Sequence, residues 1–354
     1  MLTGIAAYAG YRRPPTPGRV PLALSMLNPA WALTYRERNP GGYLILRPDR
    51  GDDPDQIDYS ADDPQAEAQR FFSRFILPAL RQVPAGTYSA SLGANEQWPG
   101  ADRLDFRAAF ELALCRIVQG VRGLDYVALA CPVGNLKAVE VDHFAGVFRE
   151  ARWISYHAYL RPNAWSLSAE IDGDYFWRPT RAWMPQLRRL GLPLRLLCTE
   201  SGTFARGQSM TATALAELDV ALAGAMAIEC ARVGATFGGM LPFGFGLEGG
   251  MAAWNLDGNE SLFESGGGPV ADPVVGPGIA AKLAQNQDHA ITAEQYITPD
   301  WSVAVGGKGI YIYSRAQNDV AFLPPTGPAS NTAILALADN LIAAAQALKL
   351  AAGG

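Results

Sequence analysis

Thr87-Tyr88-Ser89-Ala90-Ser91-Leu92-Gly93-Ala94 is a β-rich run that stops abruptly at Asn95-Glu96-Gln97-Trp98-Pro99. A second run, Leu194-Arg195-Leu196-Leu197-Cys198-Thr199, stops in the same way at Glu200-Ser201-Gly202. The second run is nearly continuous in apolar residues and reads as a strand covered on both faces, the habit of parallel sheets. Six more runs of this kind lie along the chain, giving candidate strands at residues 4–9, 21–27, 42–47, 88–94, 126–131, 153–159, 194–199 and 236–243. Segments with helical spacing of apolar residues separate most of them, at 66–82, 104–121, 141–151, 183–190 and 214–233. Gly or Pro closes most of these segments, as in Pro84-Ala85-Gly86, Gly123, Gly191-Leu192-Pro193 and Gly234. Eight βα-like units predict an α/β protein built as a (β/α)8 TIM barrel, with a doubly wound open sheet as the alternative. One connection does not fit. Residues 10–20 are rich in Pro and Arg and cannot hold a full helix, so either the first helix is missing or the strand count is off by one.

The barrel is expected to occupy residues 1–255. Beyond it, residues 256–354 begin with a glycine-rich loop region and continue into a β-hairpin, Ser302-Val303-Ala304-Val305 and Ile310-Tyr311-Ile312-Tyr313 around Gly306-Gly307-Lys308-Gly309. A further strand is expected at 319–323 and an Ala/Leu-rich helix at 331–350. This extension either completes the barrel or forms a small appended element.

Composition narrows the class. The 354 residues are 49% hydrophobic and 18% charged, with a net charge of −5 and no long basic block, which argues against nucleic acid and anionic membrane surfaces as partners. No apolar stretch approaches the ~20 residues of a membrane span. The N-terminus lacks the cationic start and apolar length of a signal peptide, which predicts a cytoplasmic protein or a part of a larger exported or viral assembly. Cys115, Cys131, Cys198 and Cys230 are far apart and read as buried free thiols. His143 and His289 have no ligand-spaced neighbours, so no metal is expected. Gly238-Gly239 and Gly244-x-Gly246 lack the helix and acidic residue of a dinucleotide fingerprint, and no cofactor is expected.

Carboxylates at the C-terminal ends of two barrel strands are the pair that glycosidic cleavage requires, one to protonate the leaving oxygen and one to attack the anomeric carbon. The fourth and seventh candidate strands carry them. With Asn95-Glu96 after strand four, Glu200 after strand seven and Ser155-Tyr156-His157-Ala158-Tyr159 ending strand six, the chain resembles the clan of retaining glycoside hydrolases on (β/α)8 barrels. The resemblance covers roughly residues 1–255. It implies Glu96 as acid/base, Glu200 as nucleophile, Asn95 at the sugar 2-hydroxyl, His157 and Tyr159 lining the site, and Trp254 after strand eight as a sugar platform. An arginine common near the end of strand two in that clan has no counterpart at Leu27-Asn28-Pro29, and Arg47, ending strand three, is its substitute.

Read as chemistry, the acid needs a pKa raised by burial or by its partner's charge, whereas the nucleophile needs donors that keep it ionised. Tyr159 or Tyr156 is the expected donor to Glu200, and Trp98 is expected to cover Glu96 or stack on a sugar. Trp31, Trp98, Trp165, Trp177 and Trp254 are expected as loop aromatics suited to sugar faces, and residues 161–180 as one wall of a cleft. The predicted function is a retaining glycosidase acting on a β-linked oligo- or polysaccharide, with the linkage preference implied by the resemblance. A non-catalytic carbohydrate-binding or structural barrel is the alternative. Oligomeric state is not readable from the sequence.

Overall fold

A computed structural model describes residues 3–48, 56–121, 123–160, 175–203, 212–245, 247, 255–264, 291–298, 301–306, 309–314 and 319–323. Eight strands run in chain order around one sheet: β1 (Ile5–Ala7), β2 (Leu22–Met26), β3 (Tyr43–Arg47), β4 (Ala90–Leu92), β5 (Asp125–Cys131), β6 (Trp153–Leu160), β7 (Arg195–Thr203) and β8 (Thr236–Met240). Every neighbouring pair is parallel. Parallel bridges from Thr3 to Met240 and from Ala7 to Phe245 join the first strand to the last, so the sheet closes into the expected barrel. All eight candidate strands are present, shortened at most ends. The exception is β7, which runs past Thr199 to Thr203 and places Glu200 inside the strand rather than after it.

The strands read as apolar runs because both of their faces are covered. One cluster of buried side chains draws on Ala6, Leu22, Leu24, Ile45, Leu92, Val127 and Leu197, with Leu241 just beyond β8. At about 25 cal/mol per Å² of apolar surface, each fully buried leucine contributes roughly 1.5–3 kcal/mol before chain entropy is counted. The described helices are α1 (Pro29–Arg38), α2 (Pro64–Phe71), α3 (Leu77–Leu80), α4 (Leu104–Gln119), α5 (Ala145–Glu150), α6 (Met184–Arg189), α7 (Ala212–Val233) and α8 (Ser261–Glu264). A π-turn at Phe72–Ile76 links α2 to α3, and another at Pro179–Trp183 leads into α6. A 3-10 segment, Ala138–Phe144, precedes α5 and takes up half of the helix expected at 141–151.

The connection that did not fit resolves as a missing helix. The described segment between β1 and β2 has no helix, and the strand count of eight stands. Residues 255–264 hold this segment instead. Glu260 accepts hydrogen bonds from the Tyr11 hydroxyl (3.1 Å) and Arg13, and Glu264 accepts from the Thr16 amide (3.2 Å) and hydroxyl (2.6 Å). Phe263 packs edge-on against Phe245. After β2, Asn28 caps α1 by accepting from the Trp31 amide, and its own amide donates to the carbonyls of Tyr8 (3.0 Å) and Tyr11 (2.8 Å).

Two compact units divide the chain: Met1–Asn163 with Asp172–Val270, and Ala164–Ile171 with Ala271–Gly354. The described part of the second unit is an antiparallel sheet of β9 (Ile291–Thr298), β10 (Trp301–Gly306), β11 (Gly309–Ser314) and β12 (Asp319–Leu323), in the order β12-β11-β10-β9. The expected hairpin is β10–β11, in register from Trp301 opposite Ser314 to Gly306 opposite Gly309. The third strand is β12; β9 was not anticipated. The helix expected at 331–350 lies outside the described residues. All four cysteines are buried and free. Among the described residues, no helix is long and apolar enough to cross a membrane.

Candidate active site

Five strands deliver the site. Glu96 follows β4 with φ of 56°, in the left-handed region that a non-glycine residue enters at a cost of about 1–3 kcal/mol. Its amide donates to the carbonyl of Ala130 at the end of β5 (3.2 Å), and Leu129 and Ala130 there also have positive φ, 78° and 33°. Glu200 sits in β7 directly opposite His157 of β6, because a register shift after Ser155 brings those two residues level. This pairing puts the imidazole between the carboxylates. His157 Nδ1 lies 2.6 Å from Glu96 Oε1 and 3.4 Å from Glu200 Oε2, with the ring wholly buried.

The two carboxylates have different surroundings. Glu200 is 6% exposed at its side chain, forms an ion pair with Arg47 at the end of β3, and accepts a hydrogen bond from the Tyr159 hydroxyl (3.0 Å). Tyr159 is therefore the donor; Tyr156 instead donates to the carbonyl of Tyr175 (2.6 Å). Burial and then the charge of Glu200 push the Tyr159 phenol up, so it remains a donor across the ordinary pH range. A guanidinium and a phenol thus converge on the Glu200 carboxylate, the kind of donor set a nucleophilic carboxylate needs. Glu96 is 43% exposed at its side chain. The enclosure of its strand end pushes its carboxyl up. The hydrogen bond and charge of His157, followed by the charge of Arg47, outweigh that push and hold it below its usual value. This direction is opposite to the one expected for an acid, and His157 is the cause. By linkage, ionised Glu96 stabilises the fold above the ordinary carboxylate range, and that contribution is lost as pH falls through the lowered value.

The remaining predicted residues divide clearly. Asn95 is 1% exposed, its backbone amide donates to Gln56 Oε1 (2.8 Å), and its own Oδ1 has no hydrogen-bond partner among the described residues. Trp98 is half-buried and lies with its ring stacked on Phe144, centroids 5.5 Å apart. Trp254 and Trp165 lie outside the described residues, as do residues 161–174 of the expected cleft wall. Trp31 (4% exposed) and Trp177 (7%) are buried anchors rather than exposed loop aromatics, Trp31 within α1 with its indole N–H on the carbonyl of Arg13.

Tyr8, the residue after β1, was missed. It is 6% exposed, and its phenol is pushed up by burial and by the charges of Glu200 and then Glu96, against the charge and hydrogen bond of Arg47. The signal available was an aromatic residue with a polar tip directly after Ile5-Ala6-Ala7. Behind Glu200, the Ser201 hydroxyl donates to Asp219 of α7 (2.9 Å), whose carboxyl is pushed up to about 8 by burial despite that bond.

One atom each from Glu96, His157 and Glu200 lies within 4.8 Å of the others, and among the described residues these three are the side chains grouped closely enough to hold a metal ion. Arg47 already neutralises Glu200, which sets the cluster against a dication and toward proton transfer. A Glu96 oxygen and a Glu200 oxygen within 4.8 Å of each other have the reach to act on one bond.

No protein-family model matches the chain, and no curated protein does. Solved structures similar to it include a GH128 (subgroup I) endo-β-1,3-glucanase from Amycolatopsis mediterranei in complex with laminaritriose, 14% identical, covering 72% of this chain and 92% of that one with a TM-score of 0.38. Another is a GH5-4 broad-specificity endoglucanase from Clostridium acetobutylicum, 11% identical, covering 67% and 80% with a TM-score of 0.39. A third is an endo-β-1,4-glucanase from Xanthomonas axonopodis pv. citri, 12% identical, covering 72% and 92% with a TM-score of 0.39. Identity at this level carries no activity from those proteins to this chain.

Proposed function

We propose that this chain is a retaining glycosidase acting on a β-linked oligo- or polysaccharide. The observation that carries the reading is the convergence of Glu96 and Glu200 on His157, with all three ligand atoms within 4.8 Å, at the C-terminal ends of a closed parallel barrel. Retaining enzymes hold their carboxyl groups about 5–5.5 Å apart, against about 6.5–9.5 Å where a water must fit between acid and base. In the first step Glu96 gives its proton to the glycosidic oxygen while Glu200 attacks the anomeric carbon. The glycosidic bond breaks and a glycosyl ester forms on Glu200. Glu96, now ionised, takes a proton from water, and that water opens the ester with a second inversion. Arg47 and Tyr159 hold the Glu200 carboxylate oriented for attack. Asn95, next to Glu96, is the candidate for the sugar 2-hydroxyl, and Trp98 and Trp254 are the candidate aromatic surfaces. The first-formed product anomer, read by proton NMR on a β-glucan, mannan or β-galactoside that the protein cleaves, is expected to be β. An α product would refute retention.

His157 sets the working pH in this scheme. It lowers Glu96 in the empty site, so the acid carries its proton only at acidic pH or once a sugar excludes water from the exposed carboxyl. Replacing His157 with Asn removes the two leading causes of the lowering and leaves burial pushing upward. The basic limb of the kcat/KM profile against pH is then expected to move to higher pH. A limb that stays in place would mean that another group supplies the proton.

A non-catalytic carbohydrate-binding barrel is the competing reading. The lowered Glu96 is the observation on its side, because an empty site then holds no proton to donate near neutrality. Calorimetric binding of a glycan without any release of reducing ends, across pH 4–8, would favour it.

A further inference from the structure

Arg107 and Glu111, one turn apart in α4, are both wholly buried and meet at 2.6 Å. Their partners surround the segment that carries Glu96. Arg107 donates to the carbonyls of Gln97 (3.0 Å), Ala94 (3.3 Å) and Leu129 (3.3 Å), and to the Tyr59 hydroxyl (3.2 Å), which itself donates to Gln97 O (2.9 Å). Glu111 accepts from the Tyr126 hydroxyl (2.6 Å) and the Leu129 amide (3.1 Å). The pair thus holds the carbonyls on either side of Asn95-Glu96 and both backbone groups of Leu129. From Leu129 the constraint passes one residue on, to the Ala130 carbonyl that takes the Glu96 amide. The backbone conformations so held are the unfavourable ones, with positive φ at Glu96, Leu129 and Ala130. Gly93 completes the arrangement, since a Cβ there would fall 2.2 Å from the Tyr126 hydroxyl.

A buried ion pair is a poor source of stability, because desolvation offsets its attraction and apolar residues of similar volume serve a fold as well or better. Its fixed fork of donors is what an apolar pair would lack. We propose that Arg107 and Glu111 are positioning residues: together they fix the Ala94–Gln97 turn so that the Glu96 carboxyl faces the scissile oxygen. The inference rests on the reading of Glu96 as the acid/base.

The test is a double variant, Arg107→Met with Glu111→Leu, which removes both charges at similar volume and leaves neither one buried alone. Two substrates are compared on the full chain: a β-glycan oligosaccharide that the wild type cleaves, and the 2,4-dinitrophenyl glycoside of the same sugar, whose departure needs no proton. Misplacing the acid is expected to lower kcat/KM on the oligosaccharide about 100-fold and on the dinitrophenyl glycoside less than about 5-fold, with the thermal midpoint held within a few degrees. Equal losses on both substrates would reduce the pair to a structural element, and no loss on either would leave it without a role; both overturn the proposal. An unfolded double variant would show that stability, not aim, is what the pair supplies, and overturns it as well. If Glu96→Gln spares the oligosaccharide reaction while the double variant impairs it, the acid/base reading fails instead, and that result separates the two failures.

Discussion

Replacing Glu200 with Gln should lower kcat by roughly 10⁴–10⁶-fold, the scale on which hydrolases that work through a covalent intermediate lose rate when the nucleophile is removed. At 1.36 kcal/mol per factor of ten, this corresponds to about 5–8 kcal/mol of lost transition-state stabilisation. The amide keeps the volume of the carboxyl and an acceptor for the Tyr159 hydroxyl, but it cannot form the glycosyl ester. Stability should change too, and in a way that identifies the cause. Arg47 is only 5% exposed at its side chain, and the single variant removes the carboxylate it pairs with there. Removing one partner of a buried pair costs about 3–5 kcal/mol, whereas removing both is often neutral. Adding Arg47→Met to Glu200→Gln should therefore restore much of the lost thermal midpoint and none of the lost activity. Full turnover by Glu200→Gln, measured as reducing-end release, would end the nucleophile reading. A midpoint that falls further in the double variant would show that Arg47 serves the fold through contacts other than Glu200.

The barrel was legible because its physics leaves a trace in composition. A parallel strand covered on both faces must be apolar at every position, and the eight runs stand out for that reason. Where the trace was weak, the reading failed. Helix α1, Pro29–Arg38, buries only Trp31, Ala32 and Tyr35 among polar neighbours, so its apolar spacing is too sparse to announce a helix. Strand β9 carries Glu294 and Gln295 at its centre and follows a polar run, so no apolar pattern marks it. At the site, Glu96 and Glu200 were singled out by their place at strand ends, and His157, Tyr159 and Arg47 by the resemblance; all five lie where a barrel brings strand ends together. Tyr8 depends on ring closure, since only the meeting of β1 with β8 sets its ring edge-on against Phe243, centroids 5.3 Å apart. Arg107 and Glu111 are the hardest case. An Arg and a Glu four residues apart in a helix read as a solvated surface pair. Their inward orientation follows from the unpaired carbonyls of a left-handed turn, which no residue pattern encodes.

Replacing Glu96 with Ala should divide substrates by leaving group, and this division separates an acid/base from a residue that merely binds. General acid–base groups contribute about 10²–10⁴-fold. With an oligosaccharide, whose leaving alkoxide needs a proton, the whole of that loss should appear in kcat/KM. With a 2,4-dinitrophenyl glycoside, glycosylation of Glu200 needs no proton, so the first step should stay fast while the second, which needs a base, becomes slow. The ester then accumulates, kcat falls, and KM falls with it. Azide, an anion that needs no deprotonation, should restore turnover by attacking the ester: its nitrogen bonds to the anomeric carbon as the bond to Glu200 breaks. The product would be a β-glycosyl azide, whose retained configuration also records Glu200 as the first nucleophile. The vacated space suits this, because Glu96 is the more exposed of the two carboxylates, at 43% against 6% for Glu200. Removal of Glu96 also takes from His157 its 2.6 Å partner, leaving the imidazole beside Glu200 alone. If azide fails to accelerate turnover and both substrates slow by the same factor, Glu96 is a binding residue and the proton comes from elsewhere. Rescue confined to the dinitrophenyl glycoside, with the azide product retained, would assign acid and base to this one side chain.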